Sequence, residues 1–269
     1  MCTTGVMRLD GDDYLLFKNK DFGRIHFDDR IVVEPEVFGV EGITTWAGSD
    51  PDLDQFSGLS IGANSAGILC CDSNVQTLDD HANYDDLVEI ALRSGQDLDS
   101  ALNAIGNAVA NRPYLWGNVI MIDGEAAAVV EVRSGQIEVT RLAGPTARSN
   151  HHVMMGTNPE DDDTVTSLLR LRAAQTRVEG AVSLEDVFAL QRSHDDGNTG
   201  ICNHALHQTV YSYALRCRGG VTTLYVAQGR PCDDPPRHQL VVPLGRDWSP
   251  AAAETFRARY PSSRATLAV

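Results

Sequence analysis

The chain is predicted to fold as a four-layer α/β/β/α sandwich of the α+β class, two antiparallel sheets covered by helices. Three observations carry that expectation. Strand patterns and paired helical patterns alternate along the chain in the order strands, helices, strands, helices, strands. Glycine- and aspartate-rich turns of hairpin type join neighbouring strands. No internal repeat, low-complexity block or long linker divides the 269 residues, so one domain spanning 1–269 is expected.

The elements follow in order. Cys2 to Asp10 and Tyr14 to Phe22 read as a hairpin folded at Gly11-Asp12-Asp13. Ile31 to Pro35 and Glu36 to Val40 read as strands, followed by a Gly/Ser/Asp/Pro-rich loop over 47–58. Leu59 to Gly62 and Gly67 to Cys71 form another hairpin about Ala63-Asn64-Ser65-Ala66. The polar, acidic stretch Asp72 to His81 reads as a long loop, suited to a pocket wall. Tyr84 to Ser94 carries Leu87, Ile90, Ala91 and Leu92 at helical spacing, and Asp97 caps a second helix that stops near Asn111-Arg112-Pro113.

A three-stranded meander comes next: Gly117 to Ile122, Ala126 to Val132 and Ile137 to Leu142. Ser149 to Val153 ends another extended piece. The run Glu160 to Asp163 reads as a solvated helix start, with the helix continuing from Thr164 to about Val178. Ser183 begins a further helix. Strands return at Thr209 to Cys217, Val221 to Ala227 and His238 to Val242, and a short helix starts after Ser249-Pro250.

Composition narrows the function. A net charge of −15 argues against nucleic acid as a partner, because phosphate binding needs a basic face. It favours a cationic or neutral substrate over an anionic one. No signal-like apolar segment and no run of about 18 apolar residues is present, so no membrane partner and a cytoplasmic location are expected. The six cysteines form no CxxC pair and are read as reduced thiols. Cys70-Cys71 could support a redox sensor, although adjacent cysteines form strained disulfides. The group Cys202-Asn203-His204-Ala205-Leu206-His207 lacks a matching second ligand pair, so no metal and no cofactor are expected.

The informative position is Cys2. Removal of Met1 would leave one residue carrying both a thiol and an α-amine. An unperturbed α-amine titrates near about 8 and a thiol near about 8.5, so the amine is a matched base for its own thiol. The hairpin returns Lys18, Asn19 and Asp21 to the neighbourhood of Cys2. A cation beside a thiol favours the thiolate, and a carboxylate can orient the amine. These residues predict a cysteine hydrolase of the N-terminal-nucleophile kind. A cysteine after the initiator is, taken alone, most often a thiol without a role.

Five motifs then resemble one family in its order. Met1-Cys2-Thr3 with Lys18-Asn19-Lys20-Asp21-Phe22 resembles the opening of choloylglycine hydrolases and related linear-amide hydrolases, whose segment carries Arg where this chain has Lys18. Gly62 to Ile68, continuing to Asp72-Ser73-Asn74, is similar to their Gly-x-Asn-x-x-Gly-Leu hairpin. Ser149-Asn150-His151 resembles the Thr-Asn-His signature of the isopenicillin-N acyltransferase branch, Ser167-Leu168-Leu169-Arg170 the Ser-x-x-Arg motif, and Thr209 to Cys232 the closing strand pair.

The resemblance implies the N-terminal-nucleophile fold and, residue by residue, a site. Cys2 would be the nucleophile and Asp21 would hold its α-amine. Asn150 would donate its side-chain amide to the oxyanion, with Asn74 a second donor. Arg170 and Lys18 would complete the polar network. Asn158 is an alternative to Asn150, and Arg172 to Arg170. The substrate would be a small-molecule linear amide, met by loops at 22–30, 47–58, 72–83 and 194–208. An acyltransferase shares the same acyl-enzyme, and a non-catalytic ligand-binding relative is a reading from another class. A homo-oligomer is compatible with all three.

Overall fold

A computed structural model of the chain describes residues 1–44, 50–78, 80–156, 162–194 and 200–265, and of 162–165 the backbone alone. The opening hairpin sets the layering. β1 (Cys2–Asp10) and β2 (Asp13–Phe22) pair antiparallel, with Cys2 opposite Lys20 and Gly5 opposite Phe17. Successive side chains on a strand point to opposite faces. Val6, Tyr14 and Leu16 therefore enter one apolar cluster, and Met7, Leu15 and Phe17 another.

Two sheets grow from this logic. β1 is flanked by β10 (Thr146–Arg148), and β2 by β11 (Gln208–Arg218), which leads to β12 (Val221–Gln228) and β13 (His238–Val241). The second sheet runs in chain order through β3 (Ile31–Val33), β4 (Val37–Ile43), β5 (Phe56–Asn64), β6 (Leu69–Gln76), β7 (Tyr114–Ile122), β8 (Ala127–Ser134) and β9 (Gln136–Arg141).

Helices cover the outer faces. α1 (Asp85–Ser94) and α2 (Leu98–Asn111) pack Leu87 and Ile105 with Val119, Met121 and Val130 of the seven-stranded sheet. The alternate residues Ile120, Ile122 and Val129 face inward to meet Leu16, Tyr213 and Leu215 of the six-stranded sheet. On the other side, α3 (Asp162–Glu179) and α4 (Leu184–Gln191) bring Ala174, Val178, Val187 and Leu190 onto Leu15, Phe17 and Ala214. Each large apolar side chain buried in these layers contributes about 1.5–3 kcal/mol. α5 (Pro250–Arg259) closes the edge of the inter-sheet core, its Phe256 ring 5.2 Å from Phe38. The four-layer α+β arrangement is the one the sequence predicts.

The helix starts also follow the sequence. Asp97 accepts from the Ser100 N–H at 2.7 Å while Ser100 Oγ accepts from the Asp97 N–H at 3.1 Å, a reciprocal cap. Ser183 and Ser249 cap α4 and α5.

One expectation fails. The stretch 72–81, read as a loop, is strand as far as Gln76, and β6 stays paired with β7 to Trp116. Its polar side chains turn inward: Asp72 and Ser73 are buried. Asp72 meets Lys18, and Ser73 Oγ donates to the Ser149 carbonyl at 2.7 Å. A buried carboxylate is tolerated when it is paired, and that partner lies too far away in sequence for a local pattern to reveal.

Candidate active site

Cys2 and Lys18 lie on the same face of the opening hairpin, the face turned toward the second sheet, because Cys2 pairs with Lys20 and Thr4 with Lys18. Both are buried, Cys2 at 5% and Lys18 at 1% exposure. Lys18 Nζ donates to the Ser60 carbonyl at 2.9 Å and to Asp72 Oδ2 at 3.2 Å. Burial alone would lower the pKa of this ammonium; Asp72, followed by Cys2, Cys71 and Asp85, outweighs burial and holds it above the ordinary lysine value. Lys20 is engaged elsewhere, with Asp29 Oδ1 at 2.8 Å and over the Phe27 ring.

Asn150 follows β10, so the pairing of β10 with β1 delivers it to the head of the hairpin. Its Oδ1 accepts from the Cys2 backbone N–H at 2.9 Å and from Arg170 Nη2 at 2.9 Å. Neither nitrogen can accept a hydrogen bond, so the amide has one orientation. Its Nδ2 donates to the Asn74 carbonyl at 2.6 Å. Arg170, on α3 and fully buried, also donates through Nη1 to the Cys2 carbonyl at 3.0 Å and to Thr3 Oγ1 at 3.3 Å. Its rival Arg172 is exposed.

Met1 extends β1 by one residue. Its carbonyl accepts from the Asp21 N–H at 2.8 Å, its α-ammonium donates to the Asp21 carbonyl at 3.2 Å, and Arg170 Nη2 reaches its sulfur at 3.5 Å.

The Asp21 side chain points to the opposite face from Cys2, toward β11 and the stretch before it. Thr209, its direct partner across β2 and β11, donates through Oγ1 at 2.7 Å, and Asn203 Nδ2 donates at 3.4 Å. Burial raises the pKa of this carboxyl, opposed by the N-terminal ammonium, Arg170, Thr209 and Asn203. Asn19, on the same face as Asp21, donates to the Gln191 and Ile201 carbonyls at 2.9 and 3.0 Å.

Asn74 reaches the site through its backbone carbonyl, whereas its side-chain Nδ2 points to Thr77 Oγ1 at 3.5 Å. Asn158 and part of the loops at 47–58 and 194–208 lie outside the described residues. Asn64 holds the end of α1 through the Leu92 and Gly95 carbonyls and stands apart from this group.

Sequence reasoning missed several supports. Ser167 Oγ accepts from the Asn150 N–H and meets His151 Nδ1, both at 2.7 Å. Burial, followed by Arg170 and Arg148, lowers the His151 pKa to about 4. Buried Glu131 accepts the backbone N–H groups of Val153, Met154 and Met155, pinning the stretch after Asn150. Thr209 comes opposite Asp21 only because a bulge between Thr209 and Tyr211 shifts the register by one residue, which a regular strand count does not reveal. A cleft of about 530 Å³ lined by Ile25, His26, Phe27, Gln208, Thr209 and Arg230, among others, opens beside it.

A further group corrects the sequence reading. Cys202 and His204 do meet a second ligand pair, His194 and Cys232, brought in from the end of α4 and the turn after β12.

By sequence, no family model and no curated protein matches the chain. Solved structures do match its fold. A cysteine-to-alanine variant of conjugated bile acid hydrolase from Clostridium perfringens superposes with a TM-score of 0.54 at 13% identity, over 85% of this chain and 89% of that one. An arginine-to-leucine variant of the same hydrolase gives 0.50 at 12% identity, over 84% and 89%. Penicillin V acylase from Agrobacterium tumefaciens gives 0.49 at 13% identity, over 89% and 86%. With its two antiparallel sheets between helices and its likeness to the bile acid hydrolase, the chain has the fold of the N-terminal-nucleophile hydrolases.

Proposed function

We propose that the chain is an amidohydrolase that uses Cys2, after removal of Met1, as an N-terminal thiol nucleophile on a small linear amide. One observation carries the reading: the backbone nitrogen of residue 2 is held at 2.9 Å by Asn150 Oδ1, itself braced by buried Arg170. A peptide N–H gains nothing chemical from that attention; a free α-amine acting as base gains a fixed position.

In this mechanism the Cys2 α-amine takes the thiol proton, and Sγ attacks the amide carbonyl carbon. The oxyanion is met by the Asn150 Nδ2 proton that does not point at the Asn74 carbonyl; Asn74, expected from the family resemblance as a second donor, instead positions Asn150 through that carbonyl. The C–N bond breaks as the α-ammonium protonates the leaving amine. Water then opens the thioester, releasing the carboxylic acid and restoring the thiol. Asp21 positions the strand end carrying the amine, and Lys18 supplies buried positive charge on the thiol's face of the hairpin. The fold likeness to an amide hydrolase supports the reaction class.

Intact-mass analysis with peptide mapping after brief iodoacetamide treatment tests the reading, alongside an amide screen against Cys2→Ala. A chain starting at Cys2, Cys2 labelled well ahead of half-buried Cys232, and amidase activity lost in Cys2→Ala are expected. Retained Met1, or Cys2 no faster than Cys232, overturns it.

A further inference from the structure

We infer that His194, Cys202, His204 and Cys232 form a structural zinc site that clamps the stretch supporting Asp21. The four residues come from three separate segments: His194 follows α4, Cys202 and His204 precede β11, and Cys232 lies in the short turn Pro231–Asp233 after β12. One ligand atom from each lies within 4.8 Å of all the others. His204 Nε2 is 3.0 Å from His194 Nε2, 3.0 Å from Cys232 Sγ and 3.6 Å from Cys202 Sγ.

These separations suit one small ion. Tetrahedral zinc with Zn–S near 2.3 Å and Zn–N near 2.0–2.1 Å requires ligand-to-ligand edges of about 3.3–3.8 Å. The observed separations run from 3.0 Å to at most 4.8 Å, so shifts of up to about 1 Å complete the geometry. Two thiols and two imidazoles are a soft-to-borderline set that selects zinc over magnesium or calcium. Four protein ligands leave no open position, which makes the site structural rather than catalytic.

Binding is balanced by proton release. Each thiol loses its proton to solvent on becoming a thiolate ligand, and each histidine ligates as neutral imidazole. Arg230 Nη1 now lies 3.1 Å from His204 Nδ1. Ligation through Nε2 puts the ring proton on Nδ1, so Arg230 turns wholly onto Asp233, which its Nε already meets at 2.8 Å.

The placement gives the ion a task. Asn203, between the two central ligands, donates to Asp21, and Thr209 does so at the start of β11. Ile201, beside Cys202, accepts from Asn19. Tying this stretch to α4 and to the turn after β12 fixes the residues that orient Asp21.

The test uses the full chain, reduced, stripped with chelator and titrated with Zn²⁺ or Co²⁺ alone. Expected are one ion per chain, a thiolate-to-cobalt charge-transfer band with intense tetrahedral d–d bands, and a melting temperature raised by zinc. Cys232→Ser and the solvent-exposed His194→Gln each weaken binding at least tenfold and remove the zinc-dependent shift. His194→Gln, at an exposed position, keeps the test open if Cys232→Ser fails to fold. Absence of a cobalt band in the reduced protein, or zinc affinity unchanged in both variants, overturns the inference.

Discussion

Asp72→Asn tests whether the buried pair beneath Cys2 organises the hairpin. Lys18 and Asp72 lie 3.2 Å apart with side-chain exposures of 2% and 3%. Two unit charges at that distance attract by about 5 kcal/mol at an effective dielectric near 20. The substitution leaves the Lys18 ammonium hydrogen-bonded to the Ser60 carbonyl without its counter-charge, and stranding one member of a buried pair costs about 3–5 kcal/mol. A ceiling follows from proton loss: neutralising a lysine at pH 7 costs about 4.6 kcal/mol from an unfolded pKa near 10.4. The expected loss is therefore about 3–4.5 kcal/mol at pH 7, read from urea unfolding.

The pH dependence carries a sign. In the native pair the folded lysine pKa is raised, so its contribution is complete below about pH 10 and fades as pH climbs through the folded value. In the variant, burial lowers the lysine pKa, so the penalty is full at neutral pH and shrinks as pH approaches the unfolded value. At pH 9 the ceiling is about 1.9 kcal/mol. A loss below about 1 kcal/mol at pH 7, or one that is the same at pH 9, refutes the reasoning.

Further expectations rest on other contacts. Asn150→Ala should lower kcat on any amide substrate by about 10²–10³, the usual cost of an oxyanion donor; a fall under tenfold removes Asn150 from that role. His151, nearly buried and with its pKa lowered to about 4, is neutral when folded and protonated when unfolded between about pH 4 and 6.5. Stability should thus drop by up to about 3 kcal/mol as pH falls across that window, and His151→Gln should flatten the slope; an unchanged profile assigns acid lability elsewhere. Gly58 sits at φ +65°, where a Cβ would come within 2.3 Å of the Asp85 backbone. Gly58→Ala should cost about 2–4 kcal/mol in thermal or chemical unfolding, and a change below about 0.5 kcal/mol would show that α1 yields freely.

How much of this was legible depends on the range over which each signal acts. The hairpin register was readable by counting from Gly11, and it puts residues 18–21 beside Cys2 without any tertiary information. Caps at Asp97, Ser183 and Ser249 are equally local. Asn150 lies 148 residues from Cys2 along the chain, and only resemblance to a family brought it forward. Asp72 was misread because local patterning treats a carboxylate as a surface residue, whereas its strand position is set by Lys18. The ligand pair His194 and Cys232 escaped for the same reason. Three segments meet there, and each alone has unremarkable spacing. Glu131, which fixes the stretch after Asn150 through backbone N–H groups, carries no sequence signature.

The two lysines, at positions 18 and 20, are the whole lysine complement of the chain, and both are buried and ion-paired. The outer surface meets solvent with guanidinium groups alone among its cationic side chains that never titrate near neutrality. Acylating reagents aimed at ε-amines therefore find no side-chain target while the hairpin is closed. Modification of Lys18 or Lys20 becomes a chemical clock for opening of the strand pair that bears Cys2, read by mass spectrometry against the steady background of twenty arginines.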